Sequence, residues 1–165
     1  MNMNKRKNIK NFVYQSKTKT QLKNWYNGKI KEKVDFIDFE DFYKWYNKQK
    51  KECHYCSLTE KESQKIVMLG ILKSNRFPLN GKITRGRARG VWLEIDRKNP
   101  KGKYSRDNCV LSCYFCNNDK SDVFNETEYK NFINDRKGYL KKLREFLIFE
   151  ALFLSLLLPL LVYFS

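Results

Sequence analysis

Aromatic side chains recur at the spacing of a helix between residues 38 and 49. The members of this stripe are Phe39, Phe42, Tyr43 and Tyr46. The pattern predicts a helix whose aromatic face enters the core. Asp38 precedes the stripe and is a suitable N-cap, because its carboxylate can accept a hydrogen bond from the first helical turn. A shorter helix is expected in the preceding basic segment, near Thr20–Tyr26.

Two short apolar runs further along the chain predict strands. Val91–Ile95 is the first, and the second begins at Val110 and Leu111. The turn-forming residues between them are typical of a loop. After residue 116 the pattern becomes helical, and Asn125 with Glu128 three positions later resembles a capping box. Separate strands and helices of this kind indicate an α+β fold.

The last twenty residues, 146–165, are apolar apart from Glu150. A helix of this length would span roughly 30 Å, the thickness of a bilayer core. The tail is therefore interpreted as an apolar C-terminal helix, either inserted in a membrane or buried, or as an appended segment. We expect three parts: a basic arm over 1–37, a central domain over 38–137, and a basic linker with the tail over 138–165.

The chain is strongly basic, with 34 Lys and Arg against 18 Asp and Glu among 165 residues, a net charge of +16. Such a charge favours an anionic partner, either nucleic acid or a membrane surface. Arg85, Arg87 and Arg89 alternate with small residues just before the first predicted strand. This pattern suits a loop that follows a phosphate backbone, so these arginines are candidate DNA contacts.

Four of the five cysteines form two Cys-x-x-Cys pairs, Cys53 with Cys56 and Cys113 with Cys116. Two such turns supply the four thiolates of a closed, structural zinc site. A redox dithiol is the alternative, but it requires a thioredoxin-like setting that the pattern lacks. The fifth cysteine, Cys109, is expected to be a buried strand residue.

Residues 1–10 are polar and basic, unlike an export signal, so we expect a cytoplasmic location.

The segment between and after the two cysteine pairs resembles the HNH endonucleases, also called ββα-metal or His-Me finger nucleases. The resemblance covers residues 50–125 and rests on Asp96-Arg97, Asn108, and Cys113-Tyr114-Phe115-Cys116-Asn117 in that order. It is strongest to the Asp-Arg variants among rare-cutting restriction enzymes of the PacI type. The resemblance implies a small ββα-metal core stapled by the four-cysteine zinc site and flanked by helices.

The resemblance also implies roles for individual residues. Asp96 and Asn117 would supply oxygen ligands to a catalytic Mg²⁺ or Mn²⁺, the kind of donor that these ions prefer. Asn108 would brace the hairpin between the two strands. Lys120 matches the basic residue that follows the second cysteine pair, and it would contact phosphate.

Arg97 occupies the position at which most HNH enzymes carry the histidine that acts as general base. An arginine cannot accept a proton at neutral pH, so it would instead clamp the phosphate or stabilise charge in the transition state. Water must then be activated by another group. The candidates are Tyr104, favoured by resemblance to the Asp-Arg variants, Tyr55, His54, or the phosphate itself.

We therefore expect a metal-dependent endonuclease that hydrolyses phosphodiester bonds in double-stranded DNA, with a homodimer as a natural way to cut both strands. One alternative is a non-catalytic zinc module that binds nucleic acid. It accounts for the cysteines and the charge, but it leaves Asp96, Asn108 and Asn117 unexplained. Another alternative is a membrane-surface protein anchored by residues 146–165, which would also be compatible with nuclease activity.

Overall fold

A computed structural model describes residues 13–133, together with Lys142 and Glu145. The side chains of residues 30–33 are also outside the description. In this part of the chain, no helix is both long enough and apolar enough to cross a membrane. The apolar tail over residues 146–165 lies outside the described residues, so its helix and its membrane association stay predictions.

The described chain forms five helices and four short strands. In order they are α1 (Lys19–Lys33), β1 (Val34–Asp35), α2 (Phe39–Lys48), α3 (Glu60–Met68), β2 (Glu94–Arg97), β3 (Tyr104–Ser105), β4 (Cys109–Ser112), α4 (Tyr114–Lys120) and α5 (Glu126–Phe132). β2 and β4 pair antiparallel, with Glu94 opposite Ser112 and Arg97 opposite Cys109. β1 and β3 form a separate parallel pair. The mixture of helices and strands agrees with the predicted fold class.

Side-chain caps set where the helices begin. Asp38 accepts a hydrogen bond from the backbone of Asp41 at 2.7 Å, and Asn125 with Glu128 forms the reciprocal capping box. Both caps were predicted from the sequence and are confirmed. Thr18 caps α1 with a capping box of its own, and the resulting helix is longer than the predicted Thr20–Tyr26.

The aromatic stripe of α2 packs into the core as predicted. Phe42 is fully buried, and the ring of Trp25 from α1 stacks on it with centroids 5.1 Å apart. Leu22 and Tyr26 of α1 belong to the same buried cluster, which continues to the cysteine-bearing turns. Residues of the expected basic arm and of the central domain therefore share one core. The division of the chain at residue 37 stays a prediction.

The first predicted strand is displaced along the chain. Pairing begins at Glu94 rather than Val91, although Val91 and Leu93 are completely buried. The reason is that side chains of α3 satisfy the backbone of this segment in place of a neighbouring strand. Hydrogen bonds join Ser63 Oγ to the Gly90 carbonyl, Gln64 Nε2 to the Val91 carbonyl, and the Leu93 amide to Glu60 Oε2.

The hairpin of β2 and β4 leads directly into α4. Cys113 is the residue that caps α4, so the second cysteine pair lies at the junction of strand and helix. α4 packs against β2, which brings the end of the helix next to Asp96 and Arg97. This ββα unit is the frame of the candidate site.

Candidate metal centre and catalytic pocket

The four paired cysteines converge on one point, although a long segment of chain separates the two pairs. Their Sγ atoms all lie within 4.8 Å of one another, and Cys56 and Cys113 are 3.7 Å apart. Four thiolates at a Zn–S distance of 2.3 Å would stand about 3.8 Å apart in a tetrahedron. The cluster can therefore hold a metal such as zinc.

The remaining cysteine stays apart from this cluster. Cys109 is buried in β4, as predicted from the sequence. Burial also raises the pKa of its thiol to about 12. Among the described residues, the four paired cysteines form the one group of three or more His, Cys, Asp or Glu side chains arranged to hold a metal.

A separate cavity of about 320 Å³ opens beside the hairpin and α4. It brings together several side chains that the sequence pattern proposed for the site. The residues that line it include Asp96, Arg97, Tyr104, Asn117, Arg89 and Arg76. Three arginines line the pocket together with Asp96 and Asn117, and this combination of cations and oxygen donors is suited to a phosphate group.

Asp96 is a buried carboxylate that lines this pocket, and it is 7% exposed. Tyr55 donates its hydroxyl to Asp96 Oδ2 at 2.7 Å, and Lys120 Nζ lies 3.3 Å and 3.4 Å from the two carboxylate oxygens. Burial raises the pKa of Asp96, against the opposing effects of Tyr55 and Lys120. The backbone amide of Arg97 also lowers the pKa, so three neighbours share the roughly four acceptor sites of this carboxylate.

Lys120 is placed differently from the sequence prediction. Its side chain is completely buried, and its ammonium donates to the Arg97 carbonyl at 2.8 Å in addition to facing Asp96. A lysine enclosed in this way cannot be a surface contact for phosphate. The ammonium offsets the cost of burying the Asp96 charge and ties α4 to the end of β2.

Arg97 is held with its guanidinium at the edge of the pocket. It donates to the Gly102 carbonyl at 2.9 Å and lies over the ring of Tyr104, 4.8 Å from the centroid. One donor is used in this way, and the guanidinium has five, so several remain for a phosphate. The geometry suits the clamping role expected from the sequence.

Asn108 lies outside this pocket and organises the loop between β2 and β4. Its amide donates to the carbonyls of Asn99 and Lys103 at 3.0 Å and 2.8 Å, and its Oδ1 accepts from the Asn99 amide at 2.8 Å. Gly102 passes close to it, since a Cβ at that position would lie 2.8 Å from Asn108 Nδ2. These contacts agree with the bracing role expected of Asn108.

The candidates for a general base occupy different environments. Burial, followed by the charge of Asp96, raises the pKa of Tyr55 far above that of an ordinary phenol. Its proton is also committed to Asp96, which argues against a role as proton acceptor. His54 pairs with Glu126 at 2.5 Å and does not line the Asp96 pocket. Tyr104 does line the pocket.

A second cavity of about 570 Å³ adjoins the first, and Arg89, Ile95, Tyr104 and Asn117 line both. Its other walls carry the basic and aromatic side chains of Lys17, Lys29, Trp25 and Trp92. A basic cleft with aromatic walls is suited to a nucleic-acid strand. This surface has no local signal in the sequence, because its residues come from the N-terminal segment and from the run before β2, which only the fold brings together.

The predicted arginine contacts divide into two kinds. Arg85 is exposed and Arg87 is half-buried, so both reach solvent beside the cleft that Gly86 helps to line. Arg89 is paired with Glu94, with its Nε 2.7 Å from Glu94 Oε1. Its planar group also lies 5.1 Å from the ring centre of Tyr114. Arg89 is thus partly committed to the protein itself.

Comparison with known proteins gives a structural relative. Neither a protein-family model nor a curated protein matches the sequence. A solved structure of PacI, a rare-cutting HNH restriction endonuclease, does match. The chain has a fold similar to that of PacI. The TM-score is 0.54 at 20% sequence identity, covering 79% of this chain and 86% of the PacI chain.

The similarity confirms the PacI-type resemblance expected from the Asp-Arg and cysteine pattern, at the level of the fold. It extends well beyond the ββα unit, since most of each chain is covered. At this sequence identity the comparison concerns architecture alone. The chemistry of this chain depends on its own side chains.

Proposed function

We propose that the protein is a metal-dependent HNH-type endonuclease that hydrolyses phosphodiester bonds in double-stranded DNA. The observation that carries the proposal is the pocket in which Asp96, Arg97 and Asn117 meet beside a basic cleft. The PacI-like fold supports it, because PacI is a DNA endonuclease that shares this architecture. Two copies acting together would account for cutting of both strands.

Two metals with different tasks fit the donor groups. Zinc would be held by the four cysteines and would stabilise the fold, since the four thiolates leave no open position. Mg²⁺ or Mn²⁺ would be held by Asp96 and Asn117, whose carboxylate and amide oxygens are hard ligands. When bound, such an ion would stabilise negative charge on the phosphate and on the leaving oxygen.

The protein side chains would supply positioning and charge. Arg97, held by Gly102 and Tyr104, would bind a non-bridging oxygen of the scissile phosphate and favour the more highly charged transition state. Asn108 would keep the loop that presents Gly102 in place. Tyr104 is the candidate to accept a proton from water, because it lines the pocket beside Arg97, whereas Tyr55 donates its hydroxyl proton to Asp96 and His54 lies outside the pocket.

DNA would lie along the basic cleft toward the pocket. Arg85, Arg87 and Arg89 border this surface, together with Lys29, whereas the ammonium of Lys17 donates to the Leu93 carbonyl at 3.2 Å. Contacts of this kind bind the phosphate backbone without reading sequence, and they weaken steeply as salt rises. Lys120 is not among them, because its ammonium is buried against Asp96.

A non-catalytic zinc protein that binds nucleic acid is the second candidate, and the position of Lys120 favours it. A buried ammonium 3.3 Å from Asp96 already neutralises the carboxylate that would bind the catalytic metal. In that case Asp96 would serve the structure alone. The basic cleft would still bind DNA.

Incubation of the full-length protein with plasmid DNA separates the two candidates. The nuclease predicts nicked and linear products only when Mg²⁺ or Mn²⁺ is added. Salt-sensitive binding without cleavage under any divalent metal would overturn it in favour of the binding protein. If the wild type cuts, Tyr104→Phe tests the proton acceptor, and Arg97→His tests whether a histidine at that position can take over the role.

A further inference from the structure

Glu94 is a carboxylate in the site that neither the sequence motif nor the proposed chemistry accounts for. It lies two residues before Asp96 on β2, and side chains two apart project from the same face of a strand. Its Oε2 accepts from Asn117 Nδ2 at 2.5 Å and from Arg89 Nη2 at 3.0 Å. Its Oε1 lies 2.7 Å from Arg89 Nε. Both oxygens are therefore engaged.

The contact with Asn117 has a chemical consequence for the orientation of its amide. An ionised carboxylate only accepts hydrogen bonds, whereas an amide group has one donating end and one accepting end. Asn117 must therefore turn its NH₂ toward Glu94. The amide oxygen is then left for the pocket, which is the end that a cation requires.

We propose that Glu94 is a positioning residue that fixes the Asn117 amide with its oxygen available to the divalent metal. Arg89 in turn donates to both carboxylate oxygens of Glu94. The carboxylate is thereby held with its oxygens facing the arginine and Asn117. This inference rests on the proposed function, because it assumes that Asn117 binds the catalytic metal.

Because Arg89 fixes the orientation of the side chain at position 94, the role of Glu94 can be tested by exchanging hydrogen-bond donors and acceptors between positions 94 and 117. In Glu94→Gln the single amide oxygen is drawn to Arg89, so the new NH₂ faces Asn117. Asn117 must then turn its oxygen toward position 94 and present its own NH₂ to the metal. In the double variant Glu94→Gln/Asn117→Asp, the new carboxylate accepts from position 94 and keeps an oxygen for the metal. The double exchange also leaves the net charge unchanged.

Mn²⁺ binding to the full chain is measured by electron paramagnetic resonance in the absence of DNA. Zinc content and unfolding temperature are recorded in parallel. The site is defined as the Mn²⁺ that is lost in Asp96→Asn. Loss of a group that orients a metal ligand typically weakens binding by about 10- to 100-fold, and we expect this of Glu94→Gln. Asn117→Asp alone should also bind more weakly, because two carboxylates then face each other. The double variant should return to within about threefold of the wild type, a strongly non-additive result.

Asp41→Asn is the matched control. Asp41 is 15% exposed and paired with an arginine, as Glu94 is at 18%, but its partner is Arg106 and it does not line the pocket. The control should leave Mn²⁺ binding unchanged.

Three outcomes would count against the proposal. Additive effects of the two exchanges, or a Glu94→Gln protein that binds Mn²⁺ as Asp41→Asn does, would overturn the positioning role while the nuclease proposal stands. A wild type with neither Asp96-dependent Mn²⁺ binding nor cleavage would overturn both.

Discussion

The two polar centres of the molecule differ in what surrounds them. The four cysteines are largely enclosed, and each sulfur faces the other three, so a tetrahedral ion would have no position left for substrate. The Asp96 pocket is open to solvent and mixes a carboxylate, an amide, a buried ammonium and arginines. A closed set of like ligands is suited to holding the fold, and an open set of unlike groups is suited to chemistry.

Mutations in the cysteine centre and mutations in the Asp96 pocket should have different consequences. Cysteines 113 and 116 lie at the beginning of α4 and Asn117 follows them directly, so the enclosed centre positions the open one. Damage to the cysteines should therefore destroy both centres. Damage to the pocket should leave the cysteine centre intact.

Cys113→Ser is expected to have the largest effect. Binding of a structural zinc ion contributes about 10 kcal/mol or more, comparable to the whole stability of a domain. The variant should lose zinc and its cooperative unfolding transition, as measured by metal analysis and circular dichroism. Cys109→Ser is the control, because Cys109 is also buried but lies outside the cluster. A folded Cys113→Ser protein would contradict the assignment of a structural role to the cluster.

Lys120→Met tests whether the buried ammonium stabilises the pocket. Removing one partner of a buried ion pair leaves the other charge uncompensated and typically costs about 3–5 kcal/mol. We expect a loss of this size in the free energy of unfolding by denaturant, with zinc retained. The double variant Asp96→Asn/Lys120→Met should recover most of it, because no buried charge remains. A single variant as stable as the wild type would show that the pair contributes nothing.

Arg97→Lys should impair cleavage without affecting the fold. Lysine keeps the charge but loses the planar fork of donors, and removal of one donor to transition-state charge typically costs about 100-fold in rate. The comparison is kcat/KM on plasmid DNA against Arg106→Lys, an arginine paired with Asp41 away from the pocket. Equal activity of the two variants would argue against a phosphate clamp at Arg97.

The smallest effect is expected from the loop arginines. Arg85→Gln/Arg87→Gln should weaken DNA binding several-fold, because two cations would no longer reach the phosphate backbone. The slope of log affinity against log salt should also fall, by about one for each phosphate that the variant no longer binds. The control is Lys48→Gln/Lys50→Gln, which removes the same charge from exposed lysines outside both cavities. Equal effects of the two pairs of substitutions on DNA affinity and on its salt dependence would contradict the hypothesis that the loop carrying Arg85 and Arg87 follows the phosphate backbone.

The sequence predicted the features that depend on local spacing. The cysteine pairs and the Asp38 and Asn125 caps follow from short motifs, whereas the grouping of Asp96, Arg97 and Asn117 was implied by the resemblance to the HNH endonucleases. It could not predict α3 or the true start of β2, because the face of α3 that supports this segment is polar. Their residue types suggest that Glu60, Ser63 and Gln64 lie at the surface. The structure instead buries all three side chains against backbone groups.

Lys120 and Glu94 illustrate the same limit within the site. A lysine near a helix end is usually solvated, and only the packing of α4 on β2 encloses this one. Glu94 carried a signal that could have been used, since strand alternation places it on the same face as Asp96. Its contact with Asn117 depends on tertiary structure, which brings α4 against β2.

We propose that the enclosed centre holds the fold while the open pocket performs the reaction. The most direct measurement compares plasmid cleavage by the wild type and by Asp96→Asn, with zinc content determined on the same samples. We predict Mg²⁺- or Mn²⁺-dependent cleavage by the wild type, a loss of about 1,000-fold or more in the variant, and equal zinc in both. Cleavage that survives in Asp96→Asn, or a wild type that never cuts, would rule out the Asp96 pocket as the catalytic site.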